Sequence, residues 1–558
     1  MDLDRSGGGE SSRVYRGPSL GWVQEPSSFF VTVIDFGAAC DGVTDDAAAI
    51  NAALSVPNTR VVIPAGVACR VASTITIQAG IGTTLCGMDF DAGAYPSPTS
   101  SRIIADAGVS PVVQFKDGGN RSTTIENLAI GRAGGVPVSS TIGLLIQDNY
   151  NIVLRNILSY NHGICYKFAA QQVLGNSAGL GLNAIGLYGY QAVDAYIVND
   201  SWPEMRISHS RFGHNASGDY TPNCFMRFRG GVPATAGGPN TVHVLGCQFN
   251  QIAKVLHWLE FVNLNGGVTD NTEFVFDGCH IEGIQVDGSG GACIYSDSSW
   301  VALDDLKITN CTFNDSGTKL FALDPATQPK KFLFNNNTVY GTNIVLAPTG
   351  TSMLGVNIAN NWLQVGAMTL TGAAGGYCNI IGNHLYNTTY TVSGTWSRFT
   401  SIGNDQVGGS RSITAAANNS LILDHGWNSQ LSGGNLSNTG GFFSSNGTLG
   451  IGYITGAGGT VTQITSRTTG VTLNKITGNI TMFSAAGSAT PASFSVGNSS
   501  VAATDVIILN VQSGAVNTYN FLVSAVAAGS FFITFWTTGG VAVDAPVINF
   551  AVIKGVTA

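Results

Sequence analysis

A single template recurs along this chain and leaves few folds open to it. In NTEFVFDGCHI (Asn271 to Ile281) and VALDDLKITNCTF (Val301 to Phe313), apolar and polar residues alternate up to a small or amide residue, Gly278 or Asn310. A Cys follows at once, and a large apolar residue two positions further on. Period-two alternation is a strand with two unlike faces, and Gly or Asn tolerates the left-handed backbone of a sharp bend. The same template fits around Gly246, Asn336, Asn360, Asn383 and Asn404, and upstream around Asn127, Asn156 and His209. From Gly246 onward the bends are 32, 32, 26, 24, 23 and 21 residues apart, a period that means stacked repeats. Residues four and two before the bend form an inward column: Met205/Ile207, Val242/Val244, Phe274/Phe276, Leu306/Ile308, Phe332/Phe334 and Val356/Ile358. The pattern predicts an all-β chain built on a right-handed parallel β-helix.

Composition agrees. The 558 residues exceed one ordinary core. With 72 Gly and only 10% charged residues, many tight turns are expected, and neither a helical bundle nor a disordered acidic chain. A net charge of −8 without a Lys/Arg run excludes nucleic acid and anionic membrane as partners. No apolar run is long enough for membrane insertion, and the polar start MDLDRSGGGESSR is no secretory signal, so synthesis and folding in a cytoplasm are expected. Cys247, Cys279 and Cys311 each follow a bend, which predicts an internal ladder of small buried thiols and neither a metal site nor a disulfide. Cys279 and His280 point to opposite faces. With no metal motif and no phosphate-binding Gly loop, no metal and no cofactor are expected.

Residues 1–29 are rich in Gly, Ser and Pro without periodicity and read as a docking arm. VTVIDFGAACDGVTDDAAAINAAL then predicts a strand, a loop and a capping helix near 44–54, with Thr44 as N-cap, Asp45 and Asp46 in the first turn, and Ile50, Ala53 and Leu54 as an apolar stripe over the open end of the solenoid. This stretch, with VVIPAG at 61–66, resembles the entry motif of the pectate-lyase-like β-helix superfamily, which includes polygalacturonases, pectate lyases and bacteriophage tailspike depolymerases. The β-helix is expected over 30–407, followed by a Gly/Ser/Asn-rich connector over 408–458. Residues 459–558 change rhythm to short strands between Gly/Ser/Asn turns, which predicts an antiparallel β-sandwich. That last region is similar to a C-terminal domain of phage tail fibres, where it trimerises or ends the fibre. The two resemblances imply a homotrimeric tailspike. It would be made in the host cytoplasm, sit in the virion tail, bind other tail or baseplate proteins through its arm, and act on a bacterial surface polysaccharide.

Outward positions on the rungs between residues 200 and 335 collect the chemistry: Glu204 and Arg206, His243, Glu273, Asp305 and Lys307, and after the bend Arg211 and His280. Rungs lie about 4.8 Å apart. Glu273 and Asp305 are therefore neighbours, and Glu204 and Glu273 stand about 9.6 Å apart across two rungs. Glycosidic hydrolysis uses carboxylates roughly 5 Å apart with retention or about 6.5 to 9.5 Å apart with inversion. Glu273, Asp305 and Glu204 are the catalytic candidates, and Arg206, His243, His280, Lys307, Trp202, Glu260 and Asp297 the substrate-binding ones. Glu260 and Asp297 also belong to a column with Asp117, Asp148, Asp200 and Asp324 at strand ends, where carboxylates commonly serve turns. Trp202, Trp258, Tyr295 and Trp300 are stacking surfaces or core. The long spans Arg229 to Gly246 and Glu260 to Gly278 suggest groove walls. Two alternatives to hydrolysis stand: a polysaccharide lyase with His243 or His280 as base and Arg206, Arg211 and Lys307 as cations, and an adhesin that binds without cutting.

Overall fold

Strand register turns the template into a solenoid. The computed structural model describes residues 30–555 except 79–81, 92–98, 117–122, 134–137, 148–149, 171–179, 214–219, 221, 232–237, 265–272, 285–291, 298, 301–302, 304, 315–318, 323–329, 342, 347–354, 365, 373–375, 414–415, 425–429, 433–451 and 454–455. The arm at 1–29, residues 232–237 and 265–272 of the two long spans, and Asp117, Asp148 and Asp324 lie outside the described residues. Each full rung contributes to three stacks of parallel strands. The first stack runs Cys224–Gly230, His257–Asn263, Ile294–Ser296 and Phe321–Ala322. The second runs Glu204–Ser208, Thr241–Leu245, Glu273–Asp277, Asp305–Thr309, Lys331–Asn335, Gly355–Ala359 and Tyr377–Ile381. The third, entered through the bend, runs Arg211–Phe212, Gln248–Val255, His280–Ile284, Thr312–Asn314, Thr338–Tyr340, Trp362–Gln364, His384–Tyr386 and Asp405–Val407. Parallel strands joined by crossovers wind right-handed, and the chain is a right-handed parallel β-helix.

The bends are left-handed where the template requires it, with φ of 60° at Gly246, 64° at Gly278, 55° at Asn310, 56° at Asn336 and 55° at Asn360. The last two differ from expectation: Gly382 and Gly403, at 63° and 66°, make the turn in place of Asn383 and Asn404. Glycine takes positive φ at least steric cost, so in each Gly-Asn pair the glycine turns and the asparagine moves one position into the interior. Gly186, with φ 70°, marks a further rung that the template missed.

The position after the bend faces inward and changes chemistry along the axis. Cys247, Cys279 and Cys311 are buried, and their Sγ atoms contact strand carbonyls at 3.1 to 3.9 Å. Against the opposing hydrogen bond with Cys247, the neighbouring thiol Cys311 and then burial push the Cys279 thiol well up, so it stays neutral. Asn337, Asn361, Asn383 and Asn404 take over as a ladder of buried amides. Asn361 Oδ1 accepts from Asn337 N at 2.8 Å and Nδ2 at 3.1 Å, while Asn361 Nδ2 donates to Phe334 O at 2.7 Å and Asn383 Oδ1 at 2.8 Å. The ladder ends on Asp424, whose Oδ1 accepts from Asn404 N and Nδ2 and whose Oδ2 meets Arg411 at 2.9 Å.

At the N-terminal end the helix spans Ala47–Leu54 and buries Ala47, Ile50, Ala53 and Leu54. The expected cap shifts by two residues. Asp46 is the N-cap, without a side-chain cap bond, and Asp41–Asp45 pairs as a strand with Ala68–Val71. Thr44 is occupied by Asp41, whose carboxylate accepts from its backbone and hydroxyl, and the buried Asp46 accepts from Ala39 N and Cys40 N. Two of the ten cysteines, Cys40 and Cys69, form a disulfide, and the other eight are free and buried. At the other end the parallel ladder passes 407 and includes Ala416–Leu423, paired with Thr389–Ile402. The start of the expected connector is therefore β-helix.

A second compact unit covers residues 437–558. One of its sheets is ordered Gly458–Thr462, Thr477–Thr481, Val547–Ile553, Val506–Ser513, and the other Val471–Thr472, Ala492–Gly497, Ser530–Gly539, Thr518–Ala527. Ile480, Ile548 and Phe550 from one sheet meet Phe494, Phe531 and Ile533 from the other in a shared core, which makes a sandwich. Its pairing is antiparallel except for the first pair of each sheet, which is parallel.

Candidate functional site

Outward side chains of the second stack inherit their spacing from strand register. Glu204 pairs with Thr241 and Thr241 with Glu273, which places two rungs between the acids; Arg206 is beside His243, and Asp305 beside Lys331. Lys307 Nζ lies 2.6 Å from Glu273 Oε1 and 3.2 Å from Asp305 Oδ2, while His243 Nε2 meets Glu273 Oε2 at 3.1 Å. Glu273 is thus held from two sides on two adjacent rungs. The hydrogen bonds from Lys307 and then His243 keep its carboxyl below the usual range, and Glu273 in turn raises the Lys307 ammonium. A carboxylate so held suits base or nucleophile work and not proton donation. Glu204 is exposed and has no ion pair among the described residues.

Across the bend, the third stack carries a second group. Glu282 Oε2 accepts from Asn250 Nδ2 at 2.9 Å and meets His280 Nε2 at 3.1 Å. On the first stack, Arg227 bridges Glu260 at 2.7 Å and Asp194 at 2.8 Å, and against the cost of burial its guanidinium is pushed further up by Cys224 and then by these acids. His257 stacks on Tyr295 with ring centroids 4.6 Å apart, and burial lowers its imidazole below the ordinary value.

No family model matches this sequence, and no curated protein does. Among solved structures the chain is similar to Geobacillus virus E2 ORF18, with 15% identity over 95% of this chain and 77% of that one and a TM-score of 0.33. It is similar to the Dettilon tailspike protein at 12% identity over 93% and 94%, TM-score 0.33. The tailspike of E. coli bacteriophage HK620, solved with a pentasaccharide, gives 10% identity over 93% of each chain and a TM-score of 0.36. With TM-scores this low the likenesses carry no argument. The fold rests on the pairings above.

Of the residues singled out from sequence, Glu273, Asp305, Lys307 and His243 form one connected group, with Glu204 and Arg206 together on the rung before it. His280 lies on the neighbouring stack with Glu282. Trp202 is corrected: it is fully buried, and its indole donates to Glu204 O at 3.0 Å, so it packs the core under the site and offers no ring to a substrate. Trp258 and Trp300 are likewise buried. Glu260 is engaged by Arg227 on a different stack, and Asp297 accepts from Ser299 N at 2.9 Å, which is turn chemistry. Asp200 is no turn residue but a buried acid between Lys167 and Arg229. Sequence reading missed Glu282. The signal was available, since Glu282 falls four residues after the bend Gly278 and so shares its face with His280. Cys40, Cys69 and Asp46 also place potential ligand atoms within 4.8 Å of one another, but the disulfide uses both sulfurs.

Proposed function

We propose that this chain is a tailspike-type depolymerase that binds and cuts a bacterial surface polysaccharide by endo-glycosidic hydrolysis. The observation that carries the reading is Glu273, held ionised on an open β-helix face by Lys307 and His243. In this mechanism Glu273 is the base that takes a proton from water, and Glu204, two rungs away at about 9.6 Å, is the acid that protonates the leaving oxygen. That separation falls near the upper end of the inverting range. Asp305 keeps Lys307 in place, and Arg206 and His280 bind the polymer.

A second reading, β-elimination from a uronate, is favoured by the His243 to Glu273 hydrogen bond. It orients an imidazole as base beside Lys307 and Arg206, which would neutralise the substrate carboxylate. Product analysis on the host polysaccharide decides. A saturated reducing end supports hydrolysis, an unsaturated ultraviolet-absorbing end replaces it with the lyase, and unchanged polymer length leaves an adhesin.

Homotrimeric assembly through the C-terminal unit belongs to the same proposal. Its support is an exposed apolar patch on adjacent strands, Val506 at 56%, Ile508 at 51% and Ile553 at 51%. Sedimentation of a chain ending at residue 436 tests it, and full-strength trimers there would sink it. Location in the virion tail, with residues 1–29 as the arm to other tail proteins, completes the proposal.

A further inference from the structure

The third stack contains a notch that the catalytic reading does not use. One outward column reads His280, Thr312, Thr338, Trp362, His384 on successive rungs. Two small residues therefore separate two large walls by three rungs, about 14 Å at the usual strand spacing. One wall is His280 with Glu282, whose carboxylate is hydrogen-bonded by Asn250 and His280 and so is fixed in place. The other is Trp362, 44% exposed, with one ring face covered by His384 at a centroid distance of 4.1 Å. Register leaves the opposite face of Trp362 directed along the axis over Thr338. The second outward column supplies Asn314 and Tyr340 as the flank of the floor, and Tyr340 is exposed.

From this geometry we infer that the notch is a saccharide subsite taking an uncharged pyranose unit of a longer polymer. The apolar face of one sugar ring stacks on the Trp362 indole over Thr338, and the neighbouring unit of the polymer reaches Thr312, Asn314 and the fixed Glu282 carboxylate at the far wall. An uncharged unit is specified because the outward positions of this stack between Thr312 and Tyr386 carry no acid and no Lys or Arg, and the acids at its two edges, Glu282 and Asp405, repel anions. Alternation of rings with hydroxyl and amide side chains also distinguishes this face from the aliphatic patch on the C-terminal unit.

The inference rests on the polysaccharide reading but not on its catalytic part. The full chain carrying Glu273→Gln is applied to an array of bacterial capsular and O-antigen polysaccharides, alone and with Trp362→Ala or Thr338→Phe added. Trp362→Ala removes the stacking wall and Thr338→Phe fills the notch without touching it. Each is expected to weaken retention about tenfold, the scale of one lost ring contact with its flanking bonds, with the sedimentation coefficient unchanged. Parent-like retention by both variants overturns the subsite, as does a change of oligomeric state, which would make the face a contact between copies. A Glu273→Gln chain that retains no polysaccharide overturns both readings, and an unsubstituted chain that binds but never shortens the polymer overturns only the hydrolase.

Discussion

The solenoid differs on either side of Thr312 to Thr338, inside and out. In the three rungs just upstream the position after the bend is a thiol and the outer faces carry Glu273, Lys307, His243 and Glu282; downstream it is an amide and the third stack presents Tyr340, Trp362 and Tyr386. The thiols pack as small apolar groups with long sulfur contacts, so the upstream rungs are held mainly by a core of Phe and Trp such as Phe276, Phe313 and Trp258. The amides satisfy backbone and side-chain groups of the rungs on both sides, so the downstream rungs are tied by directional bonds. One backbone solution thus accepts two ways of filling the same interior column. The outer face varies independently because side chains alternate.

The largest expected effect concerns the charged half. Glu273→Gln keeps the shape but removes the exchangeable proton site, and cleavage should fall by about 10² to 10⁴, with a parent thermal midpoint; reducing ends released measure it. A variant that cuts at the parent rate breaks the assignment of chemistry to the second stack.

Next comes the interior contrast. Asn361→Ala leaves the amide and backbone N–H of Asn337 and the carbonyl of Phe334 without their partner, a loss of about 3 kcal/mol, whereas Cys279→Ala should cost about 1 kcal/mol. Urea midpoints of the two variants compare them directly, and equal costs would remove the distinction between the halves.

Acid should weaken the rungs upstream of both regions. His162 is fully buried, and burial lowers its imidazole to about 3. Because the folded value lies below the unfolded 6.5, the unfolded chain binds the extra proton between them. Stability from this group is whole above pH 6.5 and falls as pH drops toward 3, by at most about 1.4 kcal/mol per pH unit. His162→Asn should flatten that slope in thermal midpoints taken across the window.

The smallest effect sharpens the role of Lys307. Since Lys307 is the first cause of the lowered Glu273 carboxyl, the acidic limb of the cleavage profile should lie below the ordinary glutamate range. In Lys307→Met it should move upward. A limb that stays in place would mean that Glu273 is not the titrating base.

The rung template, the inward column and the thiol ladder were legible in the residues because each is a local periodicity that strand geometry enforces. Alternation likewise sufficed to place Glu204, Glu273, Asp305, Lys307 and His243 on one face, and the C-terminal change of rhythm marked a second unit. What adjacency alone left undecided was who holds whom. The diagonal contact of His243 with Glu273, the sharing of Lys307 and the bridge from Arg227 to Glu260 depend on side-chain reach between rungs. Burial of Trp202 under Glu204 and the switch of the bend to Gly382 and Gly403 turned on a single step of register, which moves a side chain from one face to the other. The Cys40 to Cys69 disulfide and the seat of Asp46 likewise join residues that no period relates. Sequence determined the repeat because its cause is local, and tertiary structure decided the site because its contacts cross from one rung to the next.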